Sequence, residues 1–89
     1  MSYGTVTVTN VATLIVDSNT KRRNLTIANA ALMETVFIGP NSSITVANAI
    51  PLYGGSTRDQ DRIAEGYLGP VYGIVAAGTA DVRYWEVTQ

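Results

Sequence analysis

Few side chains in this sequence are equipped for chemistry. Histidine and cysteine are both absent, which removes the commonest general base, the thiol nucleophile and the usual zinc ligands together. Carboxylates remain, and the closest pair is Asp59 and Asp61 in "RDQD". Two neighbouring carboxylates suit acid–base work or calcium, but this fragment lacks the later Gly and Glu of a calcium loop. It reads as a solvated loop. No Gly-rich phosphate loop with a following Lys occurs, and the glycines fall in turn-like stretches instead. Two glycosylation acceptor patterns, at Asn24 and Asn41, read as chance matches because no signal peptide is recognisable. The expectation is a protein without enzymatic activity, metal or cofactor.

Binding chemistry is better represented. Lys21, Arg22 and Arg23 stand at the end of a turn where a strand begins. Charges at such a position commonly stay in water and discourage edge-to-edge pairing; alternatively, arginines suit bidentate contacts to a partner's carboxylates. Nucleic acid is disfavoured, since the net charge is −1 and no aromatic residues interleave with the basic run to stack bases. In "DVRYWEV", alternation puts Val82 and Tyr84 on one face and Asp81, Arg83, Trp85 and Val87 on the other. If the first face is core, Trp85 lies outside. There, with Val87, Arg83 and the tyrosines Tyr3, Tyr53 or Tyr67, it suits a subunit contact or a sugar-stacking platform. A bulge returning Trp85 to the core is the competing reading.

These residues need a scaffold, and the hydropathy pattern supplies an all-β one. The 89 residues make one domain, small enough that its core is thin. With no cysteine to staple it, self-association is expected. "TVTVT" (5–9) alternates strictly, "ATLIV" (12–16) follows, and "DSNTK" (17–21) is turn chemistry. "RNLTIANA" (23–30) directs Leu25 and Ile27 inward with Asn24 and Thr26 outward, and "ETVFIG" (34–39) directs Val36 and Ile38 to one face. "NAIPLYGGST" (48–57) carries Pro51 and two glycines, which suits an edge segment or turn and not a central strand. "RDQDRIAEGYLGP" (58–70) admits a short helix, capped by Thr57 with Gln60 and by Gly66, or a loop running into a strand. The loop is the preferred reading. "VYGIVA" (71–76) and "ADVRYWEV" (80–87) read as a closing hairpin. Seven or eight short strands suggest a small antiparallel β-sandwich or barrel. No stretch of 18 apolar residues occurs, so no membrane-spanning helix is expected.

The succession "ATLIV…RRNLTIAN…VFIGPNSSITVANAIPLYGG", then "GPVYGIVAAGTADVRYWE", resembles the small virion proteins of tailed bacteriophages that sit on the outside of the head as decoration, cement or head-fibre domains. The resemblance covers roughly residues 12–86. It runs through Arg22, Arg23, Leu25, Thr26 and Ile27; Val36, Ile38 and Gly39; Asn48, Ile50, Pro51 and Leu52; and the stretches 69–72 and 78–83. The charged "STRDQDRIAEGY" segment is longer than the family pattern. The resemblance implies a non-enzymatic structural protein made in the host cytoplasm and mounted on the outer head surface. Its partner would be the major capsid protein, whose acidic surface Arg22 and Arg23 would contact if the basic cluster docks and does not merely form a solvated rim. It also implies a homo-oligomer, with a trimer favoured. A carbohydrate-binding or host-adhesion module of a head fibre or tail, using Trp85 and the tyrosines on a cell-surface glycan, is the alternative.

Overall fold

The computed structural model describes residues 2–55, the backbone of 57–59, and residues 66–89. The capping partner Gln60 and the carboxylate Asp61, and with them the helix-or-loop question over 60–65, lie outside the described residues. Eight strands are present among the described residues: β1 (Ser2–Val8), β2 (Thr13–Val16), β3 (Arg22–Asn29), β4 (Val36–Gly39), β5 (Ile50–Leu52), β6 (Thr57–Asp59), β7 (Val71–Ile74) and β8 (Ala80–Thr88). They form two four-stranded sheets in the orders β1-β8-β3-β6 and β2-β7-β4-β5. Every pairing is antiparallel. The fold is an all-β sandwich.

Each strand owes its place to alternation. Val8 on β1, Leu25 and Ile27 on β3, Val36 and Ile38 on β4, and Val82 on β8 are buried and form one apolar cluster between the sheets with Ile15, Val16, Leu52, Val71 and Val75. The intervening residues point to water, because successive side chains in a strand face opposite ways. Pro51 sits on β5 at the rim of its sheet, where a missing N–H costs no ladder bond. The left-handed φ of +75° at Gly78 closes the link between β7 and β8 without Cβ strain.

Two expectations are corrected. β7 and β8 are not a hairpin: β7 pairs with β2 and β4, whereas β8 lies in the other sheet between β1 and β3. Val75 explains the crossing, for its side chain is buried in the core and its N–H donates to the Thr9 carbonyl. The chain therefore leaves one sheet pinned inward and re-enters the other at Ala80. The basic cluster is also split: β6 pairs with β3 only at Thr26, Ile27 and Ala28, and Lys21 and Arg23 stay exposed as a solvated strand start would have them, but Arg22 does not. A register shift between Arg22 and Asn24 inserts Arg23 as an extra residue against β8. Strict alternation from Leu25 would turn Arg22 outward; the bulge reverses it and buries Arg22.

Candidate functional site

Burying a guanidinium is tolerable only when it is paired and its donors are used. Arg22 meets both conditions. Its Nε donates to Glu86 Oε2 at 2.7 Å. Nη1 donates to the Tyr67 and Gly69 carbonyls at 3.2 and 2.9 Å, and Nη2 to the Asp17 carbonyl at 2.8 Å. Glu86 in turn accepts from Asn19 Nδ2 and Ser2 Oγ. The pair thus ties the turn after β2, the segment before β7, and strands β1, β3 and β8 at one end of the sandwich. Arg22 is an internal fastener and is withdrawn from the docking surface expected of it. Arg23 and Lys21 remain exposed.

Tyr67 is likewise engaged internally. Its ring packs against the core cluster and its hydroxyl donates to the Pro70 carbonyl. Burial raises its pKa above the ordinary tyrosine value, with the nearby Arg22 guanidinium partly opposing the shift.

The surface that remains is the outer face of the β1-β8-β3-β6 sheet. β8 runs without a bulge from Ala80 to Glu86 against β1, so Trp85 stays outside, 56% exposed, and the reading that returned it to the core is overturned. Register sets Tyr3, 80% exposed, directly beside Trp85, with Thr26 on its other flank. The next row on that face holds Thr5, Arg83 and Ala28. These six side chains line a shallow open groove of about 580 Å³. Val87, half-buried, continues the face beside Asn24. The exposed Arg83 makes no side-chain ion pair or hydrogen bond among the described residues. The arrangement offers two adjacent aromatic surfaces, one cation and threonine hydroxyls, which is recognition chemistry. Among the described residues no three metal-ligating side chains converge.

The expected residues therefore divide. Arg83, Trp85 and Val87 share this face and Tyr3 joins them, whereas Tyr53 lies after β5, in the other sheet. Tyr53 is exposed beside Gly54, where an added Cβ would run into the Ala31 and Leu32 carbonyls. Leu32 and Met33, 82% and 94% exposed, were not singled out by sequence reasoning. The available signal was an apolar "ALM" in a linker between two strands.

Comparison with family models, curated proteins and solved structures gives no match to the chain.

Proposed function

We propose that this chain is a non-enzymatic structural protein of a tailed-bacteriophage virion, a homo-oligomer bound to the outer surface of the head that stabilises the capsid. The observation that carries the reading is the outer sheet face with Trp85 beside Tyr3 and Arg83 in the next row. Trp, Tyr and Arg are the side chains that dominate protein–protein contacts when they are desolvated, and a rigid two-sheet frame presents them at little entropic cost. The sequence resemblance to head-decoration proteins supplies the partner, the major capsid protein. The mechanism is mechanical: a subunit covering a junction between capsid proteins must be detached before the junction opens, so binding stabilises the closed lattice by linkage.

The adjacency of the exposed Tyr3 and Trp85 in one open groove also supports a second reading, in which the groove stacks the sugar rings of a cell-surface glycan. One experiment separates them. Heads lacking the protein are incubated with the wild-type protein and with Trp85→Ala, and both proteins are applied to immobilised host glycans. The capsid reading expects saturable binding to heads, weakened by roughly 30-fold or more in the variant, declining as salt rises, with no glycan retention. Glycan binding lost on substitution, with no affinity for heads, selects the alternative.

A further inference from the structure

A sandwich has four strand edges, and each is a template for another strand unless something blunts it. Among the described residues, three are blunted. β6 is three residues long; β5 is three residues with Pro51 at its centre; β2 is four residues with a register irregularity between Leu14 and Val16. β1 has no such protection. It runs seven residues in unbroken register with β8, from Ser2 opposite Glu86 to Val8 opposite Ala80. Its sequence, SYGTVTV, contains no charge and no proline. No strand among the described residues pairs with its other side.

We infer that β1 is a self-association strand, and that two copies of this chain join antiparallel β1 to β1 about a twofold axis at Thr5, forming one continuous eight-stranded sheet. The occupant is a second copy because the strand is complementary to itself. An antiparallel pairing centred on Thr5 sets Thr5 against Thr5, Tyr3 against Thr7 and Gly4 against Val6. Inward residues then meet inward residues, as sheet alternation requires. No like charges are opposed. Gly4, whose inner side is already covered by the Tyr84 ring, receives Val6 of the second copy beside that ring. Val6 is only half-buried in the single chain. On the outer face the two Tyr3–Trp85 pairs come to lie on one surface, doubling the candidate binding face. The result is a twofold pair, where the resemblance implies a threefold assembly, and it does not depend on the capsid reading.

The chain contains no cysteine, so single thiols test the register cleanly. Across the proposed axis the two Thr5 Cα atoms are about 4.5–5.5 Å apart, within disulfide range. The two Thr7 Cα atoms, on the same exposed face, are about 14 Å apart at roughly 3.4 Å per residue. Under mild oxidation of the free protein, Thr5→Cys should form a disulfide-linked dimer nearly completely, while Thr7→Cys stays largely unlinked. Sedimentation equilibrium should find a dimer for the wild type and a folded monomer for Thr5→Lys, which sets two ammonium groups together on the axis. Equal crosslinking of both thiols, a monomeric wild type, or a Thr5→Lys protein of unchanged size would each overturn the inference. Because no heads are present, these results are separate from any failure of the capsid reading.

Discussion

Arg22 and Arg23 are neighbours of identical chemistry with opposite consequences. Removing one partner of a buried ion pair leaves an uncompensated charge, so Arg22→Ala should cost about 3–5 kcal/mol in urea unfolding. An apolar double replacement, Arg22→Met with Glu86→Leu, should recover most of that loss, because the desolvation of both charges disappears with them. Arg23→Ser, on the exposed bulge residue, should stay within about 0.5 kcal/mol of wild type. Equal effects at the two positions would contradict the bulge. Tyr67 adds a pH signature. Its raised folded pKa means the folded state holds the phenolic proton more tightly than the unfolded state does. The associated stability is therefore present below the ordinary tyrosine value and is lost as pH rises through the raised one. The urea midpoint should fall above about pH 10. Tyr67→Phe should flatten that decline while costing about 1 kcal/mol at neutral pH through the lost bond to Pro70.

Asn29, at the end of β3, shows how one element binds the two sheets together. Its side chain is buried; Nδ2 donates to the Glu34 carbonyl at 2.7 Å and to the Leu52 carbonyl at 2.8 Å, and Oδ1 accepts from the Ala31 N–H at 3.0 Å. Leu52 belongs to β5, in the opposite sheet. Asn29→Asp replaces the donating amide with a carboxylate facing two carbonyls, and should lower unfolding free energy by about 2–4 kcal/mol; a loss within about 0.5 kcal/mol would show that the link carries no load. The strands themselves were legible in the sequence, because Leu25, Ile27, Val36, Ile38 and Val82 follow period two. The outward face of Trp85 was legible for the same reason. Partnership between strands was not. Nothing local in "VYGIVAAGTADVRYWEV" says that its halves join different sheets, for a tight hairpin and a crossing link use the same turn residues. Nor does alternation locate a bulge. A charged residue beside an inward position was the only hint at Arg22, and a solvated rim has the same appearance.

At the scale of the whole molecule, the two ends of the sandwich and its outer face have separate roles. The Arg22–Glu86 cluster and the Asn29 network fasten the sheets from inside, which leaves the Tyr3–Arg83–Trp85 face with no evident structural duty and the β1 edge open beside it. The candidate face was half legible: Arg83, Trp85 and Val87 follow from one strand's alternation, but Tyr3 joins them only through a pairing 82 positions apart, from Tyr3 to Trp85. Sequence distance hides such contacts. The loops bearing Leu32, Met33 and Tyr53 form a second exposed apolar region, and they supply the contrast that tests which surface docks. The most direct measurement is hydroxyl-radical footprinting of the protein free and on intact virions, read at Trp85 and Met33. If the sheet face is the docking surface, Trp85 oxidation should fall by several-fold on the virion while Met33 stays as reactive as in the free protein. Protection of Met33 with unchanged oxidation of Trp85 would contradict the account and assign docking to the loops instead.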